Sequence, residues 1–301
     1  MTATTSILRV SPAAAKARRR NWRVALSLMA PFLAVYLIFL IYPTIRVITL
    51  SFTDADIAGV GKFIGFKNYA RLLHDPLFWA SLWHTIYFMI LCVVPNAAAG
   101  LLFALLLVRL RRARGLVQAL FFMPYILPVS VVTVIWIWMF DSSYGVVNFL
   151  LHTKIQWIQD AAWAMPTVAF VTIWWTVGFN MLLFIAGLES IPKEYYEAAA
   201  LDGASGGFKV FRHITWPLLW PVTSLVLILQ ILAQWQIFNQ VYLLTNGGPA
   251  NKTLVILQYM YVQGFQNGRG GYAATISVAL FVLILVTSIF QVRFLRVKED
   301  R

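Results

Sequence analysis

The sequence predicts an all-α membrane protein with six transmembrane helices. Of its 301 residues, 60% are hydrophobic and only 12% are charged, and the mean hydropathy is +0.75. In a soluble protein about a quarter of all residues are charged, so this chain belongs in a lipid membrane. Six segments also reach the length of about 20 mostly apolar residues that a membrane span requires.

The six spans follow one another along the whole chain. We place them at residues 24–45, 82–108, 117–140, 163–187, 214–240 and 272–292. They form one transmembrane domain, 24–292, between a basic N-terminal arm, 1–23, and a tail, 293–301. The arm resembles the start of a signal peptide, but the apolar run after it is too long and lacks an obvious small-residue cleavage site. We therefore expect this run to stay as the first helix.

The connections between spans differ in charge, and this difference sets the orientation. Lysines and arginines concentrate in the arm, in 109–114 after the second span, in 190–213 between the fourth and fifth spans, and in 293–301. By the positive-inside rule these segments are cytoplasmic. The segments 46–81, 141–162 and 241–271 are then external, and both termini are cytoplasmic.

The charge pattern and the residue inventory exclude several classes of function. The formal charge of +13 flanks the spans instead of forming a basic face with exposed aromatic residues, which argues against nucleic-acid binding. The single cysteine, Cys92, and four scattered histidines show no metal-ligand spacing. Neither a phosphate-binding loop nor a nucleophile elbow occurs. We therefore expect no enzymatic activity and no cofactor in this chain.

The middles of the six spans contain no Asp, Glu, Lys or Arg. Carriers that are driven by ion or proton gradients usually place such residues at mid-membrane depth. A gradient-driven carrier is therefore the less favoured alternative, and any ATP chemistry has to come from another chain.

The cytoplasmic segment 190–217 is far longer than a minimal connection between the fourth and fifth spans. Ser190 and Pro192 predict a helix start, and Gly203 with the glycines after it predicts the helix end. Four residues share one side of this helix: Tyr196, Ala199, Ala200 and Gly203. Small side chains on that side allow close docking into a groove on a partner. The alternative is an interfacial helix that lies on lipid headgroups.

The run Glu197-Ala-Ala-x-x-x-Gly203, followed by Ile214-x-x-Pro217, resembles the EAA loop of the membrane subunits of binding-protein-dependent ABC importers. Trp216 stands where that loop usually has leucine. Other runs resemble the carbohydrate-uptake branch, with its maltose- and glycerol-phosphate-type permeases. They include Tyr42-Pro43, Asp75-Pro-Leu-Phe78, Met123-Pro-Tyr125 and Leu244-Thr-Asn-Gly-Gly-Pro249. The resemblance extends over residues 40–275.

This resemblance implies a permease subunit that moves its solute by alternating access. The short cytoplasmic helix is then a coupling helix that sits in a cleft of an ATPase subunit. The implied coupling residues are Glu197, Ala198, Ala199, Asp202, Gly203 and Ala204. The expected partners are two ATP-binding subunits that carry ATP and Mg²⁺, a second permease subunit that is commonly a different chain, and an external solute-binding protein. The implied location is the bacterial cytoplasmic (inner) membrane.

Amides and aromatic residues at membrane depth are the candidates for a solute path. They are Trp174, Trp175 and Asn180 in the fourth span and Gln230, Gln234, Trp235 and Asn239 in the fifth. Amides hydrogen-bond hydroxyl groups, and indole rings stack on the apolar faces of sugars. The alternative is structural, because buried amides often join adjacent helices and tryptophans form interfacial belts.

The external turn matches the family pattern, and we expect it to shape the external mouth of the path. It consists of Thr245, Asn246, Gly247, Gly248 and Pro249, and the alternative is a purely structural turn. A path without charges favours a neutral solute, because an ion needs compensation in a low dielectric. We therefore expect a sugar or a polyol, with an anionic derivative such as a glycerol phosphate as the alternative.

Overall fold

The computed structural model describes residues 24, 26–110, 112–203 and 207–295. The basic arm, 1–23, and residues 296–301 of the tail lie outside this range. The described residues are mainly helical, which confirms the predicted all-α class, and they hold one isolated β-bridge, between Thr53 and Phe63. The helices in chain order are α1 (Leu26–Leu50), α2 (Lys67–Leu73), α3 (Pro76–Val108), α4 (Arg114–Ile126), α5 (Val129–Met139), α6 (Val146–Leu151), α7 (Ala164–Glu189), α8 (Lys193–Leu201), α9 (Gly207–Trp235), α10 (Asn239–Leu244), α11 (Ile256–Tyr261) and α12 (Gly270–Leu295).

Six membrane crossings are available among these helices. By length and composition, α1, α3, α7, α9 and α12 can each cross a membrane alone. The remaining crossing is the pair of α4 and α5, which meets the same criterion only when the two are taken together. The short helix α8 lies between the fourth and fifth crossings, as the sequence predicts.

The third crossing, which the sequence predicted as a span over 117–140, is a bent pair of helices. Helices α4 and α5 meet at an angle of 99°. Leu127 is extended, with ψ of 139°, and Pro128 follows it. Proline lacks an N–H donor and disfavours the helical conformation of the residue before it. The indole Nε1 of Trp175 in α7 donates to the Leu127 carbonyl oxygen at 3.2 Å, which satisfies an acceptor that the break leaves free.

The fifth crossing, predicted over 214–240, begins and ends earlier in the structure, at Gly207 and Trp235. Helix α9 ends at Trp235, and Asn239 begins the separate helix α10. Between them, Ile237 is 3% exposed and belongs to the same apolar cluster as Val132 of α5 and Val168 of α7. The chain turns after Trp235 because this turn buries Ile237 against two other crossings.

The core lies where α3, α4 and α7 run against one another, and glycines allow the close approach. A Cβ atom added to Gly100 of α3 would lie 2.8 Å from the Cβ of Asn180 in α7. A Cβ atom added to Gly178 of α7 would lie 2.0 Å from the carbonyl oxygen of Phe121 in α4. Small residues at helix contacts are typical of membranes, where packing drives helix association. These three helices therefore form a closely packed unit.

The first helix is the least enclosed crossing. None of the residues in its apolar window is buried, and Phe32 and Phe39 are 66% and 75% exposed. Its main contact joins its last part, Tyr42–Leu50, to α12. Lipid or another protein chain must cover the rest, because such apolar residues are unfavourable in water.

Candidate functional site

Helix α8 begins differently from the sequence prediction. Pro192 is extended, with ψ of 137°, and Lys193 is the first helical residue. Ser190, which we predicted as part of this helix start, instead ends α7, where its hydroxyl donates to the carbonyl oxygen of Gly187 at 2.8 Å. The proline therefore separates two helices, and the serine stabilises the first of them.

One face of α8 is attached to the helix bundle. Ala199 is 8% exposed, and Tyr196 is partly buried, with its hydroxyl 3.2 Å from the hydroxyl of Thr215 in α9. Small residues thus allow α8 to approach its own chain closely. The sequence predicted that this side faces a partner, whereas Tyr196 and Ala199 lie against their own chain. The coupling role of the helix stays a prediction.

The opposite face of α8 points away from the bundle. Glu194, Glu197, Ala198 and Leu201 are exposed, and Leu201 reaches 89%. These residues follow a spacing of three and four, so they lie on one side of the helix. We call these four residues the outer face of α8. The carboxylates and the exposed leucine of this face are available for a contact outside this chain.

Backbone geometry explains the glycine at the end of α8. Asp202 is the last residue with near-helical geometry, and Gly203 adopts a left-handed φ of +77° while its N–H bonds the carbonyl oxygen of Ala200 at 3.2 Å. This is the usual end of a helix, where glycine avoids the steric cost of a Cβ atom. A Cβ atom at Gly203 would meet nothing within 4 Å. Ala204, the last predicted coupling residue, lies outside the described residues.

An ion pair braces the region next to α8. Arg114, the first residue of α4, lies 2.5 Å from Glu189, the last residue of α7. The carboxylate is about half exposed, so this pair contributes little free energy on its own. Its geometric effect is to fix the end of α7 from which the chain enters α8.

Four amide side chains from three crossings meet inside the bundle. Gln230 of α9 is the centre: its Oε1 accepts hydrogen bonds from Gln234 Nε2 at 3.1 Å and from Asn96 Nδ2 at 3.2 Å, and its Nε2 donates to Asn180 Oδ1 at 3.0 Å. Asn96 Nδ2 also donates to Thr176 Oγ1 at 2.8 Å. We call Asn96, Asn180, Gln230 and Gln234 the amide layer. Each of its members is at most 6% exposed.

The amide layer joins three of the predicted path residues and adds one that the sequence analysis missed. Asn180, Gln230 and Gln234 were candidates, whereas Asn96 of α3 was not. The available signal was the position of Asn96 inside a long apolar run, where an amide needs a partner. Asn96 Oδ1 and Asn180 Nδ2 have no hydrogen-bond partner among the described residues. The layer therefore keeps unused polar capacity while it fastens α3, α7 and α9 together.

The other predicted path residues do not join this layer. Trp235 is 3% exposed and packs in an apolar cluster with residues of α3, α11 and α12. Trp174 packs edge-on against Trp136 of α5, with 5.3 Å between ring centroids. Trp175 is held at the Leu127 carbonyl, and Asn239 is exposed at the start of α10. The tryptophans thus have structural contacts, and Asn239 is the candidate with a free surface.

The external turn, Thr245–Pro249, is tightly bonded. Asn246 and Gly247 have positive φ values of 49° and 80°. The hydroxyl of Thr253 lies 2.7 Å from that of Thr245 and donates to the carbonyl oxygen of Gly248 at 2.7 Å. The side chain of Gln258 donates to Asn246 Oδ1 at 3.3 Å. These hydrogen bonds explain the turn sequence structurally, and they hold together a loop on the side that the charge pattern predicts to be external.

Asp75 is a second polar centre, to which the sequence analysis assigned no role. Its Oδ1 accepts from the backbone N–H of Leu77 at 3.0 Å, and its Oδ2 accepts from the hydroxyls of Tyr259 in α11 and Tyr272 in α12. The Arg71 guanidinium lies 4.2 Å from the centroid of the Tyr272 ring. Burial alone would raise the pKa of Asp75, but the tyrosine and backbone donors outweigh it and lower this pKa. Burial and the carboxylate raise the pKa of Tyr259 to about 12.

Comparison with known proteins agrees with this architecture. Residues 96–297 match the family described as binding-protein-dependent transport system inner membrane component. The sulfoquinovosyl glycerol transport system permease protein SmoG of Agrobacterium fabrum is 31% identical over 92% of this chain and 91% of its own length. The trehalose/maltose transport system permease protein MalF of Thermococcus litoralis is 32% identical, with coverages of 95% and 98%.

Two further comparisons extend this result. The sn-glycerol-3-phosphate transport system permease protein UgpA of Agrobacterium fabrum is 32% identical over 89% of this chain and 92% of its own length. A chain from the crystal structure of a bacterial ABC transporter that imports the acidic polysaccharide alginate has the same fold. Its TM-score is 0.83 at 23% identity, with coverages of 95% and 99%. The chain therefore belongs to the inner membrane components of binding-protein-dependent transport systems, and it is a multi-pass permease subunit of an ABC importer.

Proposed function

We propose that this permease imports a sugar or a related polyhydroxylated solute by alternating access. Relatives that are 31–32% identical are named as permeases for sulfoquinovosyl glycerol and for trehalose and maltose. The amide layer supports the proposal chemically, because uncharged amides pair with hydroxyl groups as donors and as acceptors. Asn96 Oδ1 and Asn180 Nδ2 have no hydrogen-bond partner among the described residues, and they become available to a solute when the crossings move apart.

The exposure of the outer face of α8 supports the proposal that this helix couples the permease to ATP-binding subunits. Glu197 and Ala198 are exposed at the turn before Gly203, while Tyr196 and Ala199 fasten the same helix to the bundle. A helix that is bound on one side and free on the other transmits force from a partner to its own chain. The partner is a pair of ATP-binding subunits that hold ATP and Mg²⁺, so hydrolysis takes place outside this chain.

The remaining partners follow from the exposed surfaces. The exposed face of α1 supports a second permease subunit, which we propose is a different chain. The rigid turn Thr245–Pro249 supports an external mouth that faces a solute-binding protein. The charge pattern of the sequence supports an orientation with both termini in the cytoplasm, and the family description as an inner membrane component supports the bacterial inner membrane.

The solute path runs along the amide layer in this proposal. Gln234 makes one hydrogen bond within the layer, to Gln230, and it lies nearest to the external end of α9. Exchange of this bond for a solute hydroxyl has a low cost, since one polar partner replaces another. Asn239 extends the path outward, and Trp174 and Trp175 flank the bend of the third crossing.

An anionic sugar derivative is the second candidate solute. The observation that favours it is the 32% identity to a permease named for sn-glycerol-3-phosphate. The described amide layer contains no cation that could compensate a phosphate, so cations at the ends of the crossings or on the second permease would have to serve it. A binding screen of the cognate solute-binding protein against neutral sugars, polyols and their phosphates separates the two candidates.

The coupling proposal is tested by reversing one charge on the outer face of α8. Glu197→Lys leaves the contacts of Tyr196 and Ala199 in place, so the chain should still reach the membrane. We expect solute uptake by the assembled transporter to fall at least tenfold, as the loss of about 1.4 kcal/mol of contact free energy predicts. ATP hydrolysis should no longer respond to the loaded solute-binding protein. Normal uptake with this variant would overturn the coupling assignment.

A further inference from the structure

A cavity of about 590 Å³ lies behind α8, on the side of Tyr196 and away from the outer face. Its walls come from the last turns of α3 and α7, from α8, and from the start of α9. The apolar part of the lining consists of Leu105, Val108, Leu188, Phe208, Val210 and Phe211. Phe208 is 74% exposed, so a large aromatic side chain remains available to an occupant.

The polar part of the lining is positive. Arg109 is the one charged residue among the described lining residues. The hydroxyl-bearing residues Tyr196 and Thr215 belong to the same lining, and their hydroxyls share a hydrogen bond at 3.2 Å. Lys209 and Arg212 are exposed and stand between lining residues along the start of α9.

None of the described lining residues is acidic. Glu189 follows the lining residue Leu188, but its carboxylate is paired with Arg114. Glu194 and Glu197 lie on the outer face of α8, opposite to Tyr196. A lining that combines a cation, hydroxyl groups and apolar side chains fits an amphipathic anion.

The height of the cavity in the membrane identifies the source of such an anion. Val108 is the last residue of α3, and Leu188 is the residue before the last of α7. The lining therefore lies where two crossings end, at the level of the headgroups on the cytoplasmic side. Basic pockets between membrane helices on this side bind anionic headgroups.

We propose that this cavity binds a phospholipid with an anionic headgroup from the inner leaflet. Arg109 contacts the phosphate, and Phe208 and Phe211 cover the first part of an acyl chain. In the hydrogen-bonded pair of Tyr196 and Thr215, one hydroxyl donates to the other and the second donates to a phosphate oxygen. A charge-assisted hydrogen bond from a guanidinium to phosphate is among the stronger polar contacts. The site depends neither on the identity of the imported solute nor on the coupling role of the outer face of α8.

The test measures lipid labelling of the assembled transporter in nanodiscs. Photoreactive phosphatidylglycerol is the probe, and photoreactive phosphatidylcholine is the zwitterionic comparison. We expect phosphatidylglycerol to label peptides that contain residues 105–109 or 207–215 at least fivefold more than phosphatidylcholine does. Arg109→Gln should lower this labelling about tenfold, which corresponds to about 1.4 kcal/mol.

A matched variant and a competitor complete the experiment. Arg293→Gln removes an exposed arginine near the end of α12 that does not line the cavity, and labelling should stay at the level of the unmodified protein. Leu105→Trp fills the apolar floor and should lower labelling while Arg109 is still present. Equal labelling by the two lipids, or unchanged labelling of Arg109→Gln, would overturn the proposal. Displacement of the probe by millimolar inorganic phosphate would show that a free anion is the occupant and would overturn the lipid assignment.

Discussion

Gly178 and Gly203 require glycine for different physical reasons. At Gly178 the backbone of α4 occupies the space that a Cβ atom would need, whereas at Gly203 the space is open and the left-handed backbone is the constraint. The first constraint is on packing between crossings, and the second is on the local end of α8. A collision with backbone atoms is the more severe of the two, because backbone cannot move aside like a flexible side chain.

Gly178→Ala should therefore destabilise the helix bundle, by about 1–3 kcal/mol or more as for other overpacked sites. The matched control is Gly115→Ala in α4, where an added Cβ atom would meet nothing within 4 Å. Thermal unfolding of the purified transporter, followed by the loss of soluble complex, measures both variants. Equal midpoints for the two alanine variants would contradict the close approach of α4 and α7.

Asp75 should make the free energy of unfolding depend on pH. Since its pKa is lowered in the folded protein, its contribution to stability is present above the ordinary value of 3.8 and is lost as the pH falls through the lower folded value. The Asp75→Asn variant should be less stable than the unmodified protein at neutral pH. Its stability should also fall less on acidification, because it has no carboxylate to protonate at this position. Unfolding midpoints between pH 3 and pH 7 measure the effect. Parallel pH profiles for the two proteins would exclude a role of Asp75 in holding α11 and α12.

At the scale of elements, one face of α8 packs on the bundle and the other is free, and local sequence does not distinguish the two. The sequence predicted the helix, its glycine end and its small residues, since these follow from local composition. It did not predict which face is free, because Tyr196 is fixed by Thr215, which lies nineteen residues further along the chain. The same holds for the third crossing: Pro128 marks the break, but the 99° bend is held by Trp175 from another helix.

A matched pair of alanines on α8 tests the assignment of its faces. Ala198 and Ala200 are both exposed, but only Ala198 lies on the outer face. Ala198→Lys should abolish the response of ATP hydrolysis to the solute-binding protein and lower uptake about tenfold or more, whereas Ala200→Lys should change uptake less than threefold, since each 1.4 kcal/mol of coupling is a factor of ten. A larger defect for Ala200→Lys would place the partner on the other side of the helix.

The amide layer joins three crossings, and its members should differ in importance. Gln230 makes three hydrogen bonds within the layer, and Gln234 makes one. Gln230→Leu should cost about 1–3 kcal/mol, because it leaves buried amides without partners, while Gln234→Leu should cost about 0.6 kcal/mol. Thermal unfolding of the complex measures this difference, and similar losses for both variants would contradict the central position of Gln230.

Uptake kinetics test the same layer as a solute path. Gln234→Leu and Asn239→Leu should each weaken uptake several-fold while the permease stays assembled with its partners, because a lost hydrogen bond to a solute hydroxyl is worth about 0.5–1.5 kcal/mol. Co-purification of the partner subunits is the control for assembly. Unaltered kinetics in both variants would remove these residues from the path and leave the amide layer with a structural role only.

At the scale of the whole molecule, composition predicted the membrane class, and the lengths of the apolar runs predicted the number of crossings. Individual apolar residues could not be assigned to lipid, to the bundle or to another chain, since hydropathy is the same in all three surroundings. The exposed α1 is the clearest case: its sequence resembles that of a buried crossing, yet its apolar window has no buried residue. Contacts with a further subunit are a property of the assembly, and the sequence of one chain does not contain them.

Cysteine crosslinking tests the proposed cover of α1. The one native cysteine, Cys92, is buried, so Cys92→Ser gives a chain without competing thiols. In this background Phe39→Cys, at a position that is 75% exposed, should crosslink to the second permease subunit in membranes with a bifunctional thiol reagent. The comparison is Phe281→Cys on α12, which is 57% exposed. If Phe39→Cys gives a lower crosslinking yield than Phe281→Cys, or no crosslink at all, then α1 is covered by lipid.

The amide layer has an electrical consequence. Asn96, Asn180, Gln230 and Gln234 carry no charge at any physiological pH, because amides do not titrate there. Moving one elementary charge through a membrane potential of 100 mV involves about 2.3 kcal/mol of work. The potential therefore does no work on this uncharged layer when the crossings move. The passage of an uncharged solute is then electrically silent at this depth. A cell that loses its membrane potential but keeps its ATP would still import an uncharged solute through this permease.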